Sequence, residues 1–177
     1  MSGANLPHSA VDPGLVFVTG CYRSGTTLLQ KLLDSHPDLS VAMQPFPVLF
    51  FDAKERFLSD LGFDWRYPLD HLFLEDRYDW RGLGAFLDRL FLSAGDLDAL
   101  FARLATYGGY TPGAEGLRSR VRPGWFFDVY REWNVAVAEI GGRIGASVVG
   151  NKEIFCEEFV PAFLATGTNI VLILRDP

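Results

Sequence analysis

The chain has 177 residues, 49% of them hydrophobic and 21% charged, a balance expected of one globular domain with a buried core rather than of a disordered or collagen-like chain. Its 22 acidic and 16 basic residues leave a net charge of −6, which argues against a broad nucleic-acid-binding or anionic-membrane surface, so any anion site must be local. The two cysteines, Cys21 and Cys156, and three scattered histidines, His8, His36 and His71, are too few for a disulfide framework or a four-ligand zinc site.

The first dozen residues carry neither a basic start nor an apolar run of signal-peptide length, and no stretch of about 18 apolar residues follows. A cytoplasmic protein without a membrane anchor or structural metal is the expectation. Leu15–Val18 is a short continuous apolar run ending at Gly20, the pattern of a strand buried on both faces of a parallel sheet. Leu28, Leu29, Leu32 and Leu33 then fall on one side of a helix that Ser35-His36-Pro37 ends. Strand, tight loop and helix open a βαβ unit. Leu39–Ala42 is the next expected strand, and it delivers Gln44 to the carboxyl end of the sheet, where open α/β folds bind ligands.

The middle of the chain, 46–130, reads as several amphipathic helices forming an inserted cap, with loops at Asp79–Gly84 and Gly108–Gly124. It holds nineteen of the chain's 25 aromatic residues; most of these are expected to form the core, with a few available to wall a pocket for an apolar acceptor. Ser147–Val149, bounded by Gly150, and Ile170–Leu174 are the remaining expected strands, with Glu157–Ala165 as the crossover helix between them. The fold class that follows is α/β, a P-loop-like three-layer arrangement with a central parallel sheet and an inserted helical cap.

Gly20-Cys21-Tyr22-Arg23-Ser24-Gly25-Thr26-Thr27 joins the first strand to its helix, so its amides and the helix dipole converge on an anion. The spacing matches the nucleoside-triphosphate loop GxxxxGK[ST], except that Thr26 stands where the lysine belongs. The cation has moved to Arg23, which suits a bidentate grip on one phosphosulfate better than a β/γ-phosphate pair with Mg²⁺. Gly20, Tyr22, Arg23, Ser24, Gly25, Thr26 and Thr27 are the donor-binding candidates.

Gly20–Pro37 (GCYRSGTTLLQKLLDSHP) resembles the opening motif of sulfotransferases that use 3′-phosphoadenosine 5′-phosphosulfate (PAPS), in the arginine form of the bacterial and tyrosylprotein branches. Gly150-Asn151-Lys152-Glu153-Ile154-Phe155 resembles the same family's central lysine motif, and Ile173-Leu174-Arg175-Asp176-Pro177 the start of its 3′-phosphate motif. The resemblance implies PAPS as co-substrate with no metal, Arg175 on the 3′-phosphate, and Arg23 and Lys152 at the transferring group, with Lys152 on the leaving oxygen. It also implies that the last motif continues past Pro177, so that this chain is an N-terminal fragment, poorly active or silent alone.

At the spacing where the tyrosylprotein branch has a glutamate base stands Gln44, which cannot take a proton. Gln44 is then a neutral hydrogen-bonding residue, and Glu153, His71 or a group beyond Pro177 takes the proton of the acceptor, a hydroxyl or amine on a small molecule or peptide. Glu153 neighbours Lys152, but in extended backbone its side chain points the other way. Two other readings remain open at this point: a non-catalytic nucleotide-binding or regulatory module of the same fold, and a P-loop kinase with a displaced cation.

Overall fold

The structure is a computed structural model and describes residues 12–21, 24–64, 78–107 and 114–174. Strand β1 (Gly14–Gly20) leads into α1 (Thr26–Asp34) and β2 (Leu39–Met43). Then come α2 (Pro47–Asp60), α3 (Leu83–Leu87), the two-residue strand β3 (Phe91–Leu92), α4 (Ala94–Tyr107), α5 (Ala114–Arg118), β4 (Gly124–Trp125) and α6 (Phe126–Ile140). Strand β5 (Val148–Lys152), α7 (Val160–Ala165) and β6 (Asn169–Ile173) complete the described chain.

The main sheet is parallel, in the order β2-β5-β1-β6. Alternation along its strands separates two faces. Val16, Val18 and Val41 pack with Leu29 and Leu33 of α1 on one face. On the other, Leu15, Phe17 and Val149 join the main core with Phe46, Phe50, Tyr130, Trp133 and Phe163 from α2, α6, α7 and their leading turns. Helices on both faces make the three layers expected of a parallel sheet. The aromatic residues are mainly core: Phe17 stacks on Phe50 at 5.6 Å, and Phe101 of α4 stacks on Trp133 of α6 at 4.5 Å.

Four details depart from the sequence expectation. The first concerns α1, which turns Thr26, Leu29, Gln30 and Leu33 inward and leaves Leu28 and Leu32 65% and 60% exposed. Polar ties to β2 set that rotation: the Gln30 amide donates to Val41 O, and the Val41 amide donates to the Asp34 carboxylate at 3.0 Å.

Second, Gly150 does not end β5 but lies inside it, because a Cβ there would stand 1.9 Å from Val16 O. Third, the expected loop at Asp79–Gly84 is a 3₁₀ turn over Trp80–Gly82 that runs into α3, with Asp79 accepting the Arg81 amide at 3.1 Å. Fourth, the inserted region is not purely helical: β3 and β4 pair antiparallel. Residues 108–113 of the second expected loop lie outside the described chain, and α5 falls within its remainder.

Candidate active site

Strands β1 and β5 are neighbours whose connections leave in opposite directions. From β1 the chain passes through α1 to β2 at one edge, and from β5 through α7 to β6 at the other. The carboxyl ends of such a pair border the crevice in which open α/β sheets bind ligands. Lys152, the last residue of β5, is in register with Val18 of β1 on one side and Met43 of β2 on the other. The loop that begins at Gly20 therefore leaves its strand beside the lysine.

That loop turns at Gly20, whose φ of 153° and whose place 2.5 Å from Ile173 O, measured from where a Cβ would sit, exclude any side chain. The Ser24 amide donates to Cys21 O at 3.1 Å, and Gly25 caps α1 without a side chain of its own. Ser24 Oγ is buried and has no protein partner among the described residues. A buried hydroxyl at the start of a helix of nine residues, next to the free amides of its first turn, fits an anionic oxygen as its partner.

Lys152 is 3% exposed, so it is no solvated surface charge. Burial pulls its pKa below the ordinary lysine range, against the opposing charge of Glu153. Glu153, 2% exposed, faces the other side of the sheet. Its carboxylate accepts from Asn151 Nδ2 at 3.5 Å and from the Phe46 amide, while Tyr130 OH donates to Asn151 Oδ1 at 2.7 Å. Burial pushes the Glu153 pKa up to about 8, in spite of the charge on Lys152 and both hydrogen bonds. The Gln44 amide donates to Lys152 O at 2.9 Å, and Gln44 itself has a φ of 45°, a left-handed backbone unusual for glutamine.

Glu153 thus links pH to stability. Its folded pKa of about 8 lies above the 4.5 of an ordinary glutamate, so the folded chain keeps a proton that the unfolded chain sheds. Each step in pH between those values costs stability, and the loss is complete above about 8. Glu153→Gln should leave the melting temperature near that of the wild type at pH 4 to 5 and raise stability at pH 9 by on the order of 3–5 kcal/mol. Equal melting curves at pH 9 would show that the folded pKa of Glu153 lies near that of an ordinary glutamate.

Of the residues singled out from the sequence, the structure gathers Gly20, Ser24, Gly25, Thr26, Thr27, Gln44, Lys152 and Glu153 at one end of the sheet. Glu153 is packed into the core there rather than facing the crevice. Tyr22, Arg23, His71 and Arg175 lie outside the described residues. Sequence reasoning missed the buried partners behind the site: Tyr130, Asn151, and the pair formed by Lys54 with Glu158. Among the described residues no group of three or more His, Cys, Asp and Glu side chains is placed to hold a metal ion, and no helix is long and apolar enough to cross a membrane.

No curated protein and no solved structure matches the chain. A family model described as "Sulfotransferase family" does, over residues 13–112. The match takes in β1, the glycine loop, α1, β2, α2 and α4, and ends before Lys152. It covers more than half of the chain and begins with the strand–loop–helix unit of β1 and α1; the chain belongs to the sulfotransferase family.

Proposed function

We propose that the protein transfers a sulfuryl group from PAPS to a hydroxyl or amine of a small-molecule or peptide acceptor. The observation that carries this reading is the register of β1 and β5, which sets Lys152 beside the outlet of the glycine loop at the carboxyl ends of adjacent strands. Sulfuryl transfer passes through a loose, in-line transition state by analogy with phosphoryl transfer, so the chain's task is to position and to stabilise charge.

In this reading the amides and hydroxyls of Ser24, Thr26 and Thr27 cradle the 5′-phosphosulfate and Arg23 clamps a non-bridging oxygen. Arg175 neutralises the 3′-phosphate. Lys152 stabilises the leaving oxygen, an electrostatic task that its low exposure strengthens because little water screens the charge. Gln44 hydrogen-bonds the acceptor or the sulfuryl group as a neutral residue. The acceptor's proton goes to another group. Glu153 is packed into the core and, with a pKa of about 8, already holds a proton near neutral pH, so in this reading it is not the base, and His71 is the candidate left within the chain.

Titration calorimetry with adenosine 3′,5′-bisphosphate tests the cradle. Arg23→Ala should weaken binding by about 10- to 100-fold, the size of a lost charge-assisted hydrogen bond. An effect smaller than about twofold would place Arg23 away from the ligand.

A further inference from the structure

Lys54 lies on α2 at helical spacing from Phe50, Phe57 and Leu58, in the stripe that faces the core, and is 1% exposed. A buried ammonium is costly unless its charge and its donors are all satisfied, and an apolar side chain of similar volume commonly serves the fold as well or better. Here the ammonium is paired with Glu158, itself almost fully buried, and donates to Phe155 O at 2.6 Å. It also stands over the rings of Trp80 and Phe159, 5.8 and 5.9 Å from their centres.

The segment it grips is strained and follows Lys152 directly. Phe155 has a φ of 56°, a left-handed conformation that a bulky residue adopts only when its surroundings impose it. The same helix holds this segment at a second point, since the Phe46 amide, just before α2, donates to Glu153. Between those two grips the chain has little freedom to swing. The Lys54 ammonium serves the Phe155 carbonyl and the Glu158 carboxylate at once.

We infer that Lys54 is a positioning residue: through Glu158 and the Phe155 carbonyl it fixes the turn 153–158, and through that turn the direction in which Lys152 is presented. The inference rests on the role proposed above for Lys152. It couples the helix of the inserted region to the lysine at the reacting centre without Lys54 touching either substrate.

The variant Lys54→Met/Glu158→Gln removes the pair without leaving an orphaned charge. It should keep its melting temperature, lower kcat by about tenfold and change the donor KM by less than about threefold. Amide hydrogens of 153–158 should exchange about tenfold faster while those of β1 do not change. In a Lys152→Met background the same two substitutions should alter kcat by less than about twofold, because Lys54 acts through Lys152.

A second full loss in that background, or unchanged exchange at 153–158, overturns the inference. If the wild type transfers no sulfuryl group, the reading of Lys152 fails and the exchange measurement alone decides whether Lys54 fixes the turn. If the double variant does not fold, Lys54→Arg keeps the charge but displaces its donors. Wild-type exchange in that variant, with kcat within about twofold of wild type, would then overturn the inference.

Discussion

Lys152→Met lowers kcat by about 100- to 1,000-fold, the loss that follows removal of one preorganised charge from a developing oxyanion. Methionine keeps the stem volume, and the strand hydrogen bonds around Lys152 come from backbone, so melting temperature should change little. The donor KM should move far less than kcat, because the charge on the leaving oxygen is largest in the transition state. Lys31→Met on the exposed side of α1 is the matched control and should be silent. Since burial lowers the Lys152 pKa, the wild-type rate should fall on the alkaline side at a pH below the ordinary lysine range, as the ammonium is lost, and Lys152→Met should lack that limb. A Lys152→Met enzyme within about threefold of wild type would remove Lys152 from the chemistry.

Gly150→Val abolishes folding, the largest structural effect expected of any single change at this end of the sheet. A Cβ at residue 150 would stand 1.9 Å from Val16 O and 2.6 Å from Val16 Cγ1, so β1 and β5 must separate to admit one. Separation breaks the pairing of Leu15 to Val18 with Val149 to Lys152 and opens the apolar layers on both faces. The cost exceeds about 5 kcal/mol, comparable with the whole stability of a domain of this size. Even Gly150→Ala should be severely destabilising, since the clashing atom is backbone rather than a movable side-chain tip. Circular dichroism and a denaturant titration decide it: a cooperative transition with a midpoint near that of the wild type in Gly150→Ala would contradict the close approach of the two strands.

The framework of the site was legible because its signals are local. A short apolar run, a glycine-bounded turn and a helical repeat identify β1, the loop and α1 within 21 residues, and each element has a length and boundary chemistry that admit few alternatives. Gly150 misled, because a glycine in sequence gives the same signal whether it ends a strand or lets a neighbouring strand approach. Leu28 and Leu32 misled in the same way: helical periodicity locates an apolar stripe, but the hydrogen bonds of Gln30 and Asp34 to β2 decide which arc faces the sheet.

The buried polar network was harder to read. Tyr130 and Asn151 are 21 residues apart, and Lys54 and Phe155 are 101 apart, so neither pair leaves a trace in local spacing. A trace did exist for Lys54 alone: a lysine on the core stripe of an aromatic-rich helix breaks the binary pattern, and such breaks concentrate near functional or strained sites. The alternation that points Glu153 away from Lys152 was readable in advance, whereas its raised pKa was not, because that depends on how completely α6 and the start of α2 cover it.

Titration calorimetry of the full-length protein, with adenosine 3′,5′-bisphosphate and separately with ATP plus Mg²⁺, tests most directly whether this end of the sheet is a phosphosulfate-donor site. The bisphosphate should bind in the micromolar range or tighter, unchanged by EDTA and at least about tenfold more tightly than ATP with Mg²⁺. Tighter binding of ATP with Mg²⁺, or loss of bisphosphate binding on chelation, would contradict the donor assignment and return the loop to the nucleoside-triphosphate class.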